Sequence, residues 1–298
     1  NDIKGVNAPS LDAWSTAAAL AAVTERLELK VAVRPTLPQP AILAKQAAAI
    51  DHISGGRLAL NVVSSWWADE ARRYGVRFDQ HDDRYARTAE GRGGVAGFGR
   101  DPEFPFDGPY YQVGGTILDP KPVRRPRPPI YAGGESSAAK RLISQQCDAY
   151  VMHGDPIEVV SARIGELSAL REAAGLPRLS FGMAAYAIVR DTEQEAAREL
   201  ERITNVTPGS PGYGNYRDWI ANTQLERQVS LQDYSVSNRG LRAGLIGTPE
   251  QVAERIAALE AAGVDLLLLQ FSPQAEEMER FADQVIGRLS ATPAGGGA

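Results

Sequence analysis

Six short apolar runs, each closed by a polar or glycine-rich turn and followed by a helical pattern, restrict this chain to a repeating β/α layout. The runs are Leu29 to Val33, Leu58 to Val63, Pro129 to Ala132, Ala149 to Met152, Phe181 to Val189 and Asp265 to Phe271. Near-continuous hydrophobicity, as in the four leucines 266 to 269, suits parallel strands buried on both faces better than alternating antiparallel ones. In such folds the chemistry gathers where the strands end.

Helix signals support the layout. Ser10 can cap a helix from Leu11 to about Arg26, and a second helix from Pro40 to Ile53 has proline at its start and Gly55-Gly56 at its end. Thr248-Pro249-Glu250-Gln251 reads as a capping box opening a helix to about Ala262, with Gly263 turning the chain into the last strand. An open doubly wound sheet could use six strands, but no Gly-x-Gly-x-x-Gly follows the first one. A closed (β/α)8 barrel is the favoured fold, and it needs two further units that would lie before Asn1.

The 298 residues, 43% hydrophobic and 23% charged, suffice for one domain over 1–289 with a single large core. A net charge of -5 argues against a nucleic-acid surface, and the basic run Lys121 to Arg127, interrupted by prolines, reads as a stiff solvated connector. A single cysteine forms no internal disulfide, no membrane span or signal peptide is visible, and a cytoplasmic setting follows. Disorder is expected for the tail 290–298.

Two segments interrupt the repeat, 64–128 and 204–243, the second with a helix expected near Tyr216 to Arg227. Excursions of this length are commonly lids or binding loops. Within the first, glycines at 91, 93, 94, 97 and 99 each cost about 1 kcal/mol relative to alanine, so a helix there should be weak or broken.

Several side chains stand where chemistry is expected. Asn61 and Ser64 close one strand. His81, Arg84 and Tyr85 open a helix, with His81 and Tyr85 four apart on one face; the plainer alternative is a first helix turn rich in Asp for the macrodipole, with Arg84 solvated. Gly133, Gly134, Glu135 and Ser136 lie between a strand and a helix, where free amides and the positive helix end favour an anion. His153 has no partner at ligand spacing, so no metal is expected. Cys147 reads as an inert buried thiol and His52 as a structural surface residue.

The order and spacing of four motifs resemble the bacterial-luciferase-like flavin monooxygenases. They are Gly56-Arg57-Leu58-Ala59-Leu60-Asn61-Val62-Val63-Ser64-Ser65-Trp66-Trp67, His81-Asp82-Asp83-Arg84-Tyr85, Tyr131-Ala132-Gly133-Gly134-Glu135-Ser136, and Gly240 to Pro249. The likeness runs from about Asp12 to Ile286 and is strongest to the reduced-FMN-dependent dimethyl sulfone monooxygenases, with alkanesulfonate monooxygenases as cousins. It implies a (β/α)8 barrel with two more units ahead of Asn1. It also implies reduced FMN from an NAD(P)H-dependent FMN reductase, O2 and a small organosulfur substrate, and a homo-dimer or tetramer.

By the same resemblance Asn61 and Ser64 lie beside the flavin ring, and His81, Tyr85 and Gly133 to Ser136 hold its phosphate. Trp66 and Trp67 line the substrate pocket. The sulfonate-oxidising cousins carry arginine and histidine where this chain has Ala184 and Tyr186, which suits an uncharged sulfone here, with Tyr186 as an aromatic wall or a core residue. Arg242 matches an arginine linked to closure over the active site. The alternatives are a sulfonate-specific oxygenase and a flavin-binding protein without activity.

Overall fold

The computed structural model describes residues 9–34, 38–64, 68–222, 230–237 and 240–289. In chain order the elements are α1 (Ala13–Val23), β1 (Leu29–Val33), α2 (Pro40–Ser54), β2 (Leu58–Val62), α3 (Ala68–Arg73), α4 (His81–Arg100), β3 (Phe104–Asp107), β4 (Gln112–Thr116), β5 (Ile130–Ala132), α5 (Ser137–Gln146), β6 (Ala149–His153), α6 (Ile157–Ala173), β7 (Ser180–Tyr186), β8 (Ile188–Val189), α7 (Glu193–Thr204), α8 (Pro211–Asn222), α9 (Leu231–Ser237), a 3-10 turn (Leu241–Ala243), β9 (Ile246–Gly247), α10 (Pro249–Ala261), β10 (Leu266–Gln270) and α11 (Gln274–Phe281).

All six apolar runs enter one parallel sheet, in the order β1-β2-β5-β6-β7-β10. Spatial order follows chain order because each crossover carries a helix that packs on the sheet and returns the chain to the same end. The last of the six runs divides no further, but the fifth splits into β7 and a short β8 that pairs with β9.

The two faces of the sheet differ. Leu58, Leu60, Val62, Ile130, Tyr150, Met152, Phe181, Met183 and Ala185 join one buried cluster with Leu43 and Ile50 of α2, Val95 and Phe98 of α4, Ile143 of α5 and Leu167 of α6. The alternate residues Lys30, Ala32, Asn61, Tyr131, Val151, His153 and Ala184 project to the other face and remain partly or fully exposed. Burial on both faces, anticipated from the apolar runs, therefore holds for the lower positions Ala59, Ala149 and Gly182 and for Tyr186 at the end of β7, but not along the strands between. The four leucines of β10 are half-buried, because β10 ends the row and has β7 alone as a strand neighbour among the described residues.

Helix boundaries follow their caps. Asp12 rather than Ser10 caps α1, its Oδ1 accepting from Ser15 N at 2.8 Å, which shortens the anticipated helix at both ends. Gly55, with φ of 67°, closes α2 in the left-handed region that glycine enters without strain. At α10 the capping box is complete: Thr248 Oγ1 accepts from Gln251 N and Gln251 Oε1 accepts from Thr248 N at 3.1 Å.

The glycine-rich 91–99 stretch is not broken; α4 runs unbroken from His81 to Arg100. Propensity is overridden by close packing. A Cβ at Gly97 would penetrate the Phe104 ring, one at Gly99 would meet the Pro126 carbonyl oxygen, and one at Gly94 would sit 3.2 Å from Pro40 Cβ. The glycines let neighbours approach and seat Phe98 and Val95, 0% and 4% exposed, in the core. Each fully buried side chain of this size contributes about 1.5–3 kcal/mol.

The rest of segment 64–128 is also ordered where described. β3 and β4 form an antiparallel hairpin whose turn is clamped by Glu90, Oε1 accepting from Tyr110 N at 3.0 Å and Tyr111 N at 2.7 Å. The basic run is a strap rather than a solvated connector: Lys121 Nζ donates to Phe98 O at 2.8 Å, and Arg124 N donates to Asp51 Oδ2 at 2.8 Å. In segment 204–243 the anticipated helix forms earlier, as α8, because Ser210 and Pro211 start it, and α9 follows. Residues 223–229 and the tail 290–298 lie outside the described residues.

Candidate active site

Asn61 is the fourth of five residues of β2, on the sheet face away from the helices, and pairs in register with Ala32 and Tyr131. Its Oδ1 is buried and meets no hydrogen-bond donor. An unmet buried acceptor costs about 1–3 kcal/mol, so the position suits a ligand that brings a donor. Ser64 lies just past the same strand end, half-buried. Lys30 on β1 sits over the Tyr131 ring at 4.9 Å, placing one cation on this face.

The turn after β5 adjoins this strand end. A Cβ at Gly133 would lie 2.6 Å from Val151 O, and Gly134 has φ of 148°, where a Cβ would lie 2.6 Å from Ala139 Cβ and 3.1 Å from Tyr85 Oη. Both positions therefore require glycine, and the second puts the Tyr85 hydroxyl against the turn. Tyr150 Oη donates to Gly134 O at 3.3 Å and fixes the turn from below. Ser136 caps α5, its Oγ accepting from Ala139 N at 3.2 Å. Sequence positions 61, 85 and 133–136 thus meet at one end of the sheet, around amides that carry the positive end of α5.

Tyr85 lies one turn into α4, which starts at His81 with Gln80 at the N-cap position and no side-chain cap, and it packs half-buried against the main core. Arg84 is not solvated. It is 7% exposed, donates from Nη1 to Asp79 O at 2.8 Å and covers the Phe78 ring at 4.5 Å. Burial lowers the pKa of its guanidinium from the usual value. The His81 side chain, Trp66 and Trp67 lie outside the described residues.

Glu135 projects outward from the turn, and its Oε1 pairs with Arg163 Nη2 at 3.0 Å. Arg242, on the 3-10 turn, has Nε 3.4 Å from Asp155 Oδ1. Ala184, half-buried on β7, is in register with His153 and Leu268 at the rim. Tyr186 is 6% exposed and packs with Ile188, Ala196, Ile203 and Leu241 in a second apolar cluster beneath the Arg242 turn. Its ring is a core aromatic in this packing, and it supports the segment that carries Arg242.

Arg163, Asp155 and Tyr150 carry no sequence signal for their parts. Asp155 and Arg163 are eight residues apart, and their ion pairs reach elements far away in the chain. Away from the site, Cys147 caps α5 and is 2% exposed, and burial pushes its thiol pKa up to about 11. His52 Nε2 lies 2.7 Å from Lys121 O, on the strap. Among the described residues no group of three or more His, Cys, Asp or Glu side chains could hold a metal ion. No helix among them is long and apolar enough to cross a membrane.

The unmet Asn61 amide oxygen and the two-glycine turn capped by Ser136 fit a phosphorylated heterocycle: ring donors at the first, phosphate at the second. Comparisons with known proteins point the same way. The chain is 38% identical, over 285 residues, to an FMNH2-dependent dimethylsulfone monooxygenase of Pseudomonas putida, covering 90% of this chain and 76% of that protein. It is 35% identical to the protein of the same description from Pseudomonas fluorescens (strain Pf0-1), covering 90% and 75%. Among solved structures, a long-chain alkane monooxygenase superposes with a TM-score of 0.82 at 19% identity, covering 95% of this chain and 74% of that one. DmoA from Hyphomicrobium sulfonivorans superposes with a TM-score of 0.79 at 21% identity, covering 95% and 72%. Both share the fold, a curled parallel sheet. The description Luciferase-like monooxygenase matches residues 3–266, and with nearly nine-tenths of the sequence so matched the chain belongs to the luciferase-like monooxygenase family.

Proposed function

We propose that this chain is an FMNH2-dependent monooxygenase that oxidises dimethyl sulfone to methanesulfinate and formaldehyde. The balance closes with one O2 and one reduced FMN consumed, and one water and one oxidised FMN formed alongside the two products. Reduced FMN reaches the site from a separate NAD(P)H-dependent FMN reductase and, once bound, supplies the activation of O2. The chain acts in the cytoplasm as a homo-oligomer.

The observation that carries the reading is that Ala184, at the rim on the sheet face that also presents the unmet amide of Asn61, offers no charge, and the nearby Arg242 is already paired with Asp155. A sulfonate would need a paired cation at that rim, whereas a neutral sulfone needs apolar walls and one or two donors. Asn61 and Ser64 orient the ring, while the amides at Gly133 and Gly134, the Ser136 cap and the Tyr85 hydroxyl take the phosphate, joined by His81. Glu135 shapes the turn and is neutralised by Arg163. Trp66 and Trp67 complete the apolar pocket, and Tyr186 backs it. Arg242 closes the mouth and excludes water while the substrate reacts.

At the level of architecture, we infer a single domain over 1–289 in which the six strands are part of a (β/α)8 wall. Segments 64–128 and 204–243 elaborate its catalytic end. The similarity over 90% of the chain to dimethylsulfone monooxygenases supports this reading.

The test is reconstitution with an FMN reductase, NADH, O2 and dimethyl sulfone. Formaldehyde should form in step with NADH consumption, and oxidised FMN with NADH but no reductase should give none. Turnover without the reductase would overturn the two-component reading. Sulfite released from methanesulfonate or a longer alkanesulfonate, with no formaldehyde from the sulfone, would overturn the substrate.

A further inference from the structure

Four alternating charges cross the mouth of the sheet in a line. Arg242 Nε lies 3.4 Å from Asp155 Oδ1, Asp155 Oδ2 accepts from Arg163 Nη1 at 3.2 Å, and Arg163 Nη2 lies 3.0 Å from Glu135 Oε1. The four come from separate pieces of chain: the 3-10 turn, the β6–α6 turn, α6 and the β5–α5 turn. Exposure is graded along the line. The middle pair, Asp155 and Arg163, has side chains 12% and 14% exposed, whereas the ends, Arg242 and Glu135, are 42% and 53% exposed. The middle pair is thus held while the ends are free to exchange partners with water or a ligand.

The backbone reinforces one end of the line. A Cβ at Gly154 would lie 2.7 Å from Gly240 O, and one at Gly240 would lie 2.5 Å from Ala184 O. Gly240 also accepts from Tyr186 N at 3.4 Å, and Leu241 is buried beside Tyr186. The turn bearing Arg242 is therefore seated directly on the residue before Asp155 and on β7. A shift of the Asp155 turn is passed to it through van der Waals contact as well as charge.

We propose that Asp155 and Arg163 are positioning residues that couple occupancy of the β5–α5 anion turn to the placement of Arg242. The proposal rests on the flavin reading above. A phosphate arriving at the Gly133–Gly134 amides repels the Glu135 carboxylate and attracts Arg163. Arg163 then changes its hold on Asp155, and Asp155 its hold on Arg242. Because coupling between sites is reciprocal, a well-placed Arg242 in turn strengthens phosphate binding. Reduced riboflavin, which lacks the phosphate, fills the ring site without engaging the line.

The test is anaerobic amide hydrogen exchange on the full chain, saturated with reduced FMN or with reduced riboflavin. In the wild-type protein reduced FMN should slow exchange across 240–245 about fivefold more than reduced riboflavin does, the lower end of the usual coupling range. Asp155→Asn and Arg163→Gln should each erase that difference while reduced FMN still protects 133–139, and Asp155→Glu should restore part of it. A purely structural role for Asp155 would instead lower protection equally with both ligands, and that result overturns the proposal. Equal protection of 240–245 by both ligands in the wild type also overturns it and leaves the flavin reading standing. Failure of reduced FMN to protect 133–139 in the wild type overturns both.

Discussion

Asn61, one residue before the end of β2, carries an amide oxygen that no donor meets, and its neighbours on the sheet, Ala32 and Tyr131, are exposed or half-exposed rather than packed. Replacing it with leucine removes an unmet acceptor at little change in volume. Asn61→Leu should raise the thermal midpoint of the ligand-free protein, by up to about 1–3 kcal/mol of stability, while reduced FMN binding falls at least tenfold in an anaerobic fluorescence titration; a stability loss would show that the amide is satisfied in the ligand-free state. Gly134→Ala combines a φ of 148° with a Cβ 2.6 Å from Ala139, so it should destabilise the chain and weaken FMN more than riboflavin. Cys147, with its pKa pushed from 9.0 to about 11, should stay unreactive to thiol reagents at pH 8 until the chain unfolds. Because the unfolded thiol ionises first, this group's contribution to stability is whole below pH 9.0 and lost as pH climbs toward about 11. Asn61 and the two glycines were legible because a strand end and a β/α turn mark them. Arg163 and Asp155 were not, since an ion pair eight residues apart on one side and dozens on the other leaves no local pattern.

At the scale of elements, α4 shows where propensity misleads. Counted one by one, its glycines speak against a helix, yet Gly97 and Gly99 leave room for Phe104 and Pro126 that no larger residue would, and Gly94 lies close against Pro40. The sequence shows the local cost and hides the neighbour that offsets it. The five positions should then divide on substitution. Gly93 has open space around its missing Cβ, so Gly93→Ala should stabilise by about 1 kcal/mol. Gly99→Ala, against a backbone oxygen, should destabilise by at least about 1–3 kcal/mol. Chemical denaturation of the two variants side by side checks both, and equal shifts of one sign would refute the close-packing account. The capping box at Thr248 and the Pro40 to Gly55 helix were legible because their signals are self-contained within four residues of each end.

For the whole molecule, the order of the six strands was readable because each crossover, including the two long ones, carries at least one helix, and that rule admits few alternatives. The unequal burial of the two faces was not readable, since an apolar run looks the same whether one side or both are covered. Arg57 holds the first unit to the rest: its Nε and both Nη atoms donate to Ser54 O, Leu27 O, Ala21 O and Thr24 O at 2.7–2.9 Å. Arg57→Ala should lower stability by about 2–4 kcal/mol, and Arg57→Lys should recover only a fraction, because one ammonium cannot span four carbonyls on α1, α2 and the α1–β1 connection. A thermal melt in which lysine matches the wild type would show that charge alone suffices there.

The lone sulfhydryl of this polypeptide is sealed behind α5 and stays protonated across the working range of maleimide chemistry. The native chain is therefore spectroscopically silent to such dyes, and a cysteine introduced at an exposed rim position such as Ser137 would accept a single fluorophore with no background label to subtract.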